Sequence, residues 1–377
     1  MFSFARHSKS KISNWWWTVD KVSFSLAVFL IFIGAMLVLS ASPSAAHRDR
    51  LADDFAFIKK QGVFIFMGLV LMIGVSMQSL RTIRRLAVFG FLCAFAGVVL
   101  TYVVGDATKG AARWIKFAGF SLQPSEFIKP VFIVVTAWLL DANKRIEDFP
   151  GMTLAVGLFL LTALSVFGQP DLGMTVLISG AWALQMVWAG IPVWLIMTLF
   201  SAGLVLVTGS YFFLAHVRDR IDRFLASENE IGSQIQKSMD AFANGNLLGR
   251  GPGEGYVKMT LPDVHTDFIF ALAGEECGVW LTTIIVATFA AIVVRSMTLS
   301  MRDNNLFVMY AASGLAASLG GQAIVNMCSA LQLMPAKGMT LPFVSYGGSS
   351  MLASCLAMGM LLAITRKNAA AEDKDNG

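Results

Sequence analysis

A long polar segment ends, and an apolar helix begins, within the stretch Leu261-Pro262-Asp263-Val264-His265-Thr266-Asp267-Phe268-Ile269-Phe270-Ala271. Asp267 therefore lies where water gives way to hydrocarbon, directly after His265 and Thr266. A carboxylate at this boundary is costly unless it is paired or faces a wet cavity, so Asp267 is a candidate functional residue. The alternative is an N-cap, in which the same side chain accepts backbone N–H groups at the start of the helix.

The composition of the whole chain indicates that this helix belongs to a membrane protein. Hydrophobic residues fill 56% of the 377 positions and charged residues 14%, with a mean hydropathy of +0.66, whereas a soluble domain carries about a quarter charged residues. Apolar runs of about 17 to 25 residues recur along the chain, and the alternating pattern of an outer-membrane barrel is absent. The net charge of +5 comes from Lys and Arg at helix ends and does not indicate nucleic-acid binding.

The apolar runs predict an all-α fold of about ten transmembrane helices, with a large extracytoplasmic loop at 216–266 between the seventh and eighth. The predicted spans are 22–42, 61–78, 86–105, 125–141, 152–168, 172–189, 191–215, 267–294, 305–333 and 341–365. They form one transmembrane domain, 22–367, between a basic cytoplasmic segment at 1–21 and a polar tail at 368–377. Lys and Arg residues in the short loops favour a cytoplasmic location for both termini.

Several familiar site motifs are missing from the sequence. Its cysteines all fall in apolar runs, without metal-ligand spacing or a disulfide framework: Cys93, Cys277, Cys328 and Cys355. The glycine-rich stretch 249–256 lacks the Gly-Lys-Ser/Thr ending of a nucleotide-binding loop and follows no strand. The start of the large loop, 216–224, is predicted to be an amphipathic segment at the membrane surface, and its Arg/Asp pairs are typical of a solvated face.

Two charged side chains open the fourth predicted span, in Gln123-Pro124-Ser125-Glu126-Phe127-Ile128-Lys129-Pro130. Glu126 and Lys129 are three residues apart on one helix face and can neutralise each other. Alternatively, Lys129 is the partner of a carboxylate on another helix, and Asp267 enters from the same outer side. Pro130 loosens the helix locally, which is tolerated where the backbone lines a cavity.

Further polar residues lie at the same outer face. Arg113, Trp114 and Lys116 bring cations and an indole to the interface, although a snorkelling arginine and a belt tryptophan fit the same pattern. Gln169-Pro170-Asp171-Leu172-Gly173 is predicted to be a tight turn, and its Pro-Asp pair favours a turn without any functional role. The small residues of Ser345-Tyr346-Gly347-Gly348-Ser349-Ser350 allow close helix approach.

The polar groups of the outer face suit a lipid-linked anionic substrate. They do not suit a small solute that crosses the midplane, where discontinuous helices are expected. Glu275 and Glu276 follow in the eighth predicted span, but a continuous helix cannot turn both of them toward the surface of Asp267.

Five motifs, in order, resemble the SEDS family of peptidoglycan glycosyltransferases, which includes FtsW and RodA: Lys109-Gly110-Ala111-Ala112-Arg113-Trp114-Ile115, Gln123-Pro124-Ser125-Glu126, Gln169-Pro170-Asp171-Leu172-Gly173, His265-Thr266-Asp267-Phe268-Ile269-Phe270-Ala271 and Pro342-Phe343-Val344-Ser345-Tyr346-Gly347-Gly348-Ser349. The first motif is closer to the members that act in cell division than to those that act in elongation. The resemblance runs from the second span to the last, and it implies the SEDS fold, with a large outer loop after the seventh helix.

The resemblance also implies inverting glycosyl transfer on lipid II, a disaccharide-pentapeptide on undecaprenyl pyrophosphate, at the division septum of the bacterial cytoplasmic (inner) membrane. The essential Asp of the family falls on Asp267 and its Lys partner on Lys129. Asp267 would then be the general base that deprotonates the acceptor 4-hydroxyl, while Lys129 would hold and tune it. Candidates to bind the pyrophosphate are Arg113, Lys116 and Arg250.

The other polar residues of these motifs are candidate substrate-binding residues: Trp114, Gln123, Ser125, Glu126, Gln169, Asp171, His265, Thr266 and Ser345. The sequence has no ligand cluster that demands a metal, and a divalent cation (Mg²⁺ or Mn²⁺) is left open. The implied partners are a class B transpeptidase (FtsI-like) and other membrane proteins of the divisome. Two alternatives stay open: a lipid II flippase, which needs polar residues continuing to the inner face, and a non-catalytic scaffold that recruits the transpeptidase.

Overall fold

The computed structural model describes residues 11–48, 52–104, 106–108, 111–117, 120–169, 171–213, 215, 218–219, 222, 230–302, 304–334 and 338–367. Twelve α-helices lie within these residues: α1 (Lys11–Thr18), α2 (Lys21–Arg48), α3 (Ala56–Ser76), α4 (Leu80–Val104), α5 (Pro124–Arg145), α6 (Gly151–Gly168), α7 (Leu172–Trp188), α8 (Val193–Phe213), α9 (Glu230–Gly245), α10 (Ile269–Met301), α11 (Leu306–Ala330) and α12 (Gly348–Ile364). The predicted amphipathic segment at 216–224 lies mostly outside the described residues, and the predicted tail from 368 lies wholly outside them.

Ten of these helices, α2 to α8 and α10 to α12, overlap the ten predicted spans. Six of the described helices are long and apolar enough to cross a membrane: α2, α3, α4, α6, α10 and α11. α7 and α12 have 17 residues each, and α5 carries Glu126, Lys129 and Asp141 within its 22 residues. The protein is therefore a multi-pass membrane protein, and the number of ten crossings stays a prediction.

The segment 106–124, predicted as an outer loop of an all-α protein, contains an antiparallel sheet. Its three strands lie in the order β1-β2-β3: β1 (Asp106–Thr108), β2 (Ala111–Phe117) and β3 (Phe120–Leu122). Asp106 is paired with Trp114 across the first two strands. The prediction missed the sheet because strands this short carry little of the alternation from which a strand is inferred. A single residue separates the end of β3 from the start of α5, so the sheet helps to fix the position of the first turn of that helix.

α11 and α12 supply much of the centre of the helix bundle. Fourteen of the 17 residues of α12 are buried, and α11 contacts α5, α7, α10 and α12. The interface of α11 is rich in small residues; Gly314, for example, lies against the side chains of Ile133 and Gln185. Such residues let membrane helices approach closely. α11 is therefore the helix against which both α5 and α10 are placed.

The two ends of the described chain meet at one face of the bundle. Trp15 of α1 donates from Nε1 to the side-chain hydroxyl at the end of α3 (2.9 Å), and the backbone N–H of Lys367 donates to the carbonyl of Thr18 (3.0 Å). Asp20 accepts hydrogen bonds of 2.6 to 2.9 Å from Arg295, near the end of α10. These contacts place the ends of α3, α10 and α12 on the side of α1, as the predicted orientation requires, and the cytoplasmic identity of that side stays a prediction.

α10 is broken at Gly278, where φ is 71° and ψ is −166°. Every residue in 269–276 is buried, whereas Val279 and Trp280, just after the break, are exposed. Residues 279–301 extend about 35 Å at about 1.5 Å per residue, which is enough for one membrane crossing. α10 thus comprises a buried half-helix (269–277) and a membrane-crossing part (279–301), instead of the continuous span that the sequence predicted at 267–294.

Candidate functional site

The turn that precedes the buried half-helix presents Asp267. Its backbone is closed by Asp263, which has a φ of 52° and accepts from the N–H groups of Thr266 (3.1 Å) and Asp267 (3.0 Å). The N-cap position of α10 is Phe268, whose side chain makes no capping hydrogen bond. The helix therefore starts one residue too late for Asp267 to be its N-cap. Asp267 is partly exposed, whereas Phe268 and all of residues 269–276 after it are buried.

Two amide side chains of α11, four residues apart, face this turn. Asn326 donates from Nδ2 to the carbonyl oxygens of Asp267 (2.9 Å) and Met339 (2.6 Å). Gln322 donates from Nε2 to the carbonyl oxygen of Thr340 (3.0 Å). Residues four apart lie on one helix face, so a single face of α11 holds both the backbone of Asp267 and the segment that begins at 339.

Lys129 is paired within its own helix. Its Nζ lies 2.6 Å from Glu126 Oε2, and the two side chains are only 5% and 8% exposed. The amide oxygen of Gln322 is the other acceptor of this ammonium group. Within the described part of the chain, the ion pair of Lys129 is thus the intrahelical one and does not involve Asp267. The proposed action of Lys129 on Asp267 stays a prediction, and α11 provides the connection between them.

The segment 338–346 covers the Asp267 turn from the other side. Ser345 donates from Oγ to the carbonyl oxygen of Thr266 (2.6 Å), and the backbone N–H of Tyr346 donates to the carbonyl oxygen of His265 (2.8 Å). The His265 ring is buried, with its centroid 4.5 Å from that of Phe57. The ring of Tyr346 lies beside it, with the two centroids 5.4 Å apart. His265, Thr266 and Ser345 therefore shape the turn largely through its backbone.

A second polar cluster joins the sheet to the start of α7. Arg113 Nη1 lies 3.2 Å from Asp171 Oδ2, and Arg113 Nε donates to the carbonyl oxygen of Gln169 (3.1 Å). Asp171 is also the N-cap of α7 and accepts from the N–H of Met174 (3.1 Å). Gln169 is anchored by its own amide, which donates to the carbonyl oxygen of Val98 (3.3 Å). The charge of Arg113 is therefore partly balanced before any substrate anion arrives.

The remaining residues predicted for this face lie on β2 and at the start of α5. Trp114 is half-buried on β2; Lys116 is on the same strand, with its side chain outside the described residues. The backbone N–H of Gln123 donates to Ser349 Oγ at the start of α12 (2.9 Å), and Gln123 Nε2 donates to Ser125 Oγ (3.2 Å). The first turn of α12 thereby fixes the start of the helix that carries Lys129.

Arg250 makes its contacts away from the Asp267 turn, with Asn244 and with the backbone of Glu275. Its side chain is exposed and donates from Nη2 to Asn244 Oδ1 (3.2 Å). Its backbone N–H donates to the carbonyl oxygen of Glu275 (3.0 Å), at the break of α10. As a candidate for binding pyrophosphate, Arg250 is therefore carried by the segment between α9 and α10 rather than by the Asp267 turn.

Comparison with known proteins agrees with the motifs on these elements. The family model FTSW_RODA_SPOVE, described as "Cell cycle protein", matches residues 20–370. The chain belongs to the FtsW/RodA family. A "Probable peptidoglycan glycosyltransferase FtsW" of Caulobacter vibrioides is 41% identical over 365 residues, covering 97% of this chain and 94% of the relative. A protein of the same name from Geobacter metallireducens is 36% identical over 361 residues, covering 92% and 95%.

Solved structures share the fold. A chain from a peptidoglycan synthase complex that coordinates polymerization and crosslinking has a TM-score of 0.77 at 25% identity, and the match covers 92% of this chain and 97% of that chain. The rod shape determining protein RodA of Thermus thermophilus has a TM-score of 0.69 at 25% identity, with coverage of 93% and 97%. The predicted family and its polytopic membrane fold are confirmed.

The described residues of this FtsW/RodA family member do not form a metal site by themselves. Nowhere among them do three or more His, Cys, Asp or Glu side chains come together in a group that could hold a metal ion.

The sequence analysis missed Gln322 and Asn326, although a signal was present. Two amides spaced i, i+4 in an apolar span lie on one face and need partners, because unpaired polar groups are costly in a membrane. Lys258 was not predicted either; it lies between α9 and α10 and pairs with Glu276 (2.8 Å). No local motif predicts that pair, because its two residues are 18 positions apart in the sequence.

Proposed function

We propose that the chain is a peptidoglycan glycosyltransferase that polymerises lipid II into glycan strands, with Asp267 as the general base. The observation that carries this proposal is the presentation of Asp267: a partly exposed carboxylate on a turn whose backbone is bound by Asn326 and covered by the segment 338–346. A base has to be accessible to the substrate and fixed in position, because misplacement by about 1 Å costs about 10²-fold in rate.

The chemistry is an inverting displacement. The Asp267 carboxylate takes the proton of the acceptor sugar's 4-hydroxyl as that oxygen attacks the anomeric carbon of the donor. The bond between this carbon and the pyrophosphate oxygen breaks, and the lipid pyrophosphate leaves with the electron pair. General-base catalysis of this kind contributes about 10²–10⁴-fold.

The leaving pyrophosphate gains negative charge, which nearby cations stabilise. Arg113, Lys116 and Arg250 are the proposed cations. A guanidinium group suits a pyrophosphate because it can donate two parallel hydrogen bonds, and Arg113 would share its group between the substrate and Asp171. Lys129, held by Glu126 and Gln322, would act on Asp267 through the electric field and through α11 rather than by direct contact.

The alternatives are less well supported. A flippase would use the break in α10, where open backbone carbonyls could bind a solute. Those carbonyls, of Glu275 and Glu276, instead accept from the N–H groups of Arg250 and Gly251 (3.0 and 2.9 Å). A scaffold that only recruits a transpeptidase has no use for an accessible carboxylate held by two other segments of the chain.

The proposed setting is the septal region of the bacterial inner membrane, in a complex with a class B transpeptidase (FtsI-like) and other divisome membrane proteins. The similarity to a chain from a peptidoglycan synthase complex supports such a partner. Docking would use outer loops and lipid-facing helices. If the purified chain polymerises at full rate alone and never co-purifies with a transpeptidase, this part of the proposal fails.

The deciding experiment is polymerisation of purified lipid II by the purified protein in detergent or liposomes. We expect glycan strands from the wild-type protein and almost none from Asp267→Asn. Transfer of lipid II across the liposome membrane without glycan would support the flippase instead, and the absence of both activities would support the scaffold.

A further inference from the structure

A buried ion pair lies at the C-terminal end of the buried half-helix, the end farther from Asp267. Glu276 Oε1 lies 2.8 Å from Lys258 Nζ, and the two side chains are 2% and 5% exposed. Lys258 Nζ also donates to Ser40 Oγ of α2 (3.1 Å) and to the carbonyl oxygen of Gly253. An ammonium group has three donors, so all three are used in a site closed to solvent. This pair is not a solvated surface contact.

The neighbouring glutamate binds the same loop through its backbone. Glu275 is fully buried, and its Oε1 accepts from the N–H groups of Tyr256 (2.8 Å) and Val257 (2.9 Å). Two adjacent carboxylates of the buried half-helix therefore both turn toward the outer loop. We call the contacts of Lys258, Glu275 and Glu276 the loop clamp.

The backbone of the loop is joined to the helix at the same place. The N–H groups of Arg250 and Gly251 donate to carbonyl oxygens that the break in α10 leaves without helical partners (3.0 and 2.9 Å). A Cβ atom at Gly278 would collide with the backbone of Leu247 and Gly249. Only glycine permits both this approach and the left-handed φ of 71°. Side chains and backbone thus fasten the loop to one point.

The buried half-helix connects the loop clamp to Asp267. Asp267 lies just before its first turn and Glu276 in its last, about 14 Å apart at about 1.5 Å per residue. Because residues 269–276 are buried on every face, this short helix is packed as a rigid element. Asn326 holds one end through the Asp267 carbonyl, and the loop clamp holds the other.

We propose that Lys258, Glu275 and Glu276 are positioning residues for glycosyl transfer, because the loop clamp sets the position of the buried half-helix and through it that of the Asp267 carboxylate. This inference rests on the proposed function. The clamp residues are buried beneath the loop. Opening the clamp should therefore lower kcat and leave the KM for lipid II close to that of the wild type.

The first test is Glu276→Gln, which keeps the side-chain shape and removes the charge opposite Lys258. Glu254→Gln is the matched control, because it makes the same change on an exposed carboxylate of the same loop. In polymerisation assays we expect kcat to fall by about tenfold or more in Glu276→Gln, with KM unchanged, and Glu254→Gln to match the wild type. Wild-type kcat in a folded Glu276→Gln protein overturns the proposal.

A second measurement does not depend on catalysis. Hydrogen–deuterium exchange on the full-length protein in detergent would compare the wild type with Glu276→Gln and with Glu276→Asp, which keeps the charge and serves if the Gln variant does not fold. We expect faster exchange in the loop at 250–258 and also in the turn at 263–268. Faster exchange in the loop alone shows a purely local role and overturns the proposal. If the wild-type protein makes no glycan, the proposed function fails, while this coupling is still decided by the exchange data.

Discussion

The side-chain amide of Asn326 donates to the backbone carbonyl oxygen of Asp267 at 2.9 Å, so α11 binds the main chain of the proposed base and leaves its carboxylate partly exposed. The same amide group donates to the carbonyl oxygen of Met339 at 2.6 Å. One side chain therefore links the Asp267 turn to the segment that covers it. Placement of the base can then be tested separately from its charge.

Asn326→Leu tests the placement. The change keeps the side-chain size nearly constant and removes the N–H donors, so the carbonyl groups of Asp267 and Met339 lose a hydrogen bond each. A buried carbonyl group without a hydrogen-bond donor costs about 1–3 kcal/mol. We expect a lower thermal unfolding midpoint and slower polymerisation. Ile324→Leu is the control, because that side chain is 58% exposed on the same helix. An Asn326→Leu protein with wild-type stability and rate would show that this link is dispensable.

Asp267→Asn tests the charge. The variant keeps the size of the side chain and the backbone contact with Asn326 while removing basicity, so we expect normal expression and lipid II binding with product formation lowered by about 10²–10⁴-fold. Asp267→Glu keeps the charge but displaces it by a methylene, and at most weak activity should remain. Near-normal glycan synthesis by a folded Asn variant would mean that the base lies elsewhere.

Lys129→Met separates two roles of the lysine. Because Glu126 would be left as a buried carboxylate without its counter-charge, we expect a loss of about 3–5 kcal/mol in the free energy of unfolding. The double variant Glu126→Gln/Lys129→Met removes the whole pair and should regain most of that stability. If Lys129 also acts on Asp267, the double variant stays inactive in lipid II polymerisation. Polymerisation at the wild-type rate by the double variant would show that Lys129 serves only as the ion-pair partner of Glu126.

Arg113 and Asp171 allow a test of pyrophosphate binding. Arg113→Gln should lower kcat/KM by about ten- to a hundredfold, as expected for the loss of a hydrogen bond from a charged group. Asp171→Asn removes the competing carboxylate while asparagine still caps α7, so lipid II affinity should be kept or increased. Equal losses in both variants would indicate that the pair is structural.

Asp20 predicts a pH dependence of stability. Burial alone would raise its pKa, but hydrogen bonds from Arg295 and Ser23 outweigh burial and hold the pKa below its ordinary value of 3.8. A carboxylate of this kind stabilises the folded state at any pH above its pKa in the unfolded chain. That stabilisation is lost as the pH falls through its pKa in the folded protein. Asp20→Asn should therefore lower the Tm at neutral pH, and the difference from the wild type should begin to shrink as the pH falls below about 4 and vanish only below the lowered pKa of the folded state. A difference that does not change with pH would contradict this account.

The positions of the helices could be predicted because the hydrocarbon thickness imposes a minimum apolar run. α6 was expected at 152–168 and lies at Gly151–Gly168. The predicted eighth span ends at 294, whereas the helix α10 continues to Met301. Arg295 lies inside this helix and pairs with Asp20, which comes from another part of the chain. Helix boundaries that depend on such distant partners are not visible in a local pattern.

The candidate site was predictable in its residues and less so in its pairings. The intrahelical contact of Glu126 and Lys129 could be foreseen, because three-residue spacing on a helix is a local relation. Gln322 joins the site from α11, far away in sequence. Glu275 and Glu276 were not expected to join Asp267 together, and in the structure both bind the segment before α10 instead, through the N–H of Val257 and the ammonium group of Lys258.

The break in α10 also has a consequence for biogenesis. Residues 279–301 alone form an apolar stretch of about 35 Å, long enough for the insertion machinery to release into the bilayer. The residues just before it include Glu275 and Glu276, whose partners in the loop have already been synthesised. We expect the second half alone to determine when the nascent chain enters the lipid. The buried half-helix would then dock later, once the translocated loop has supplied Lys258 and its backbone amides.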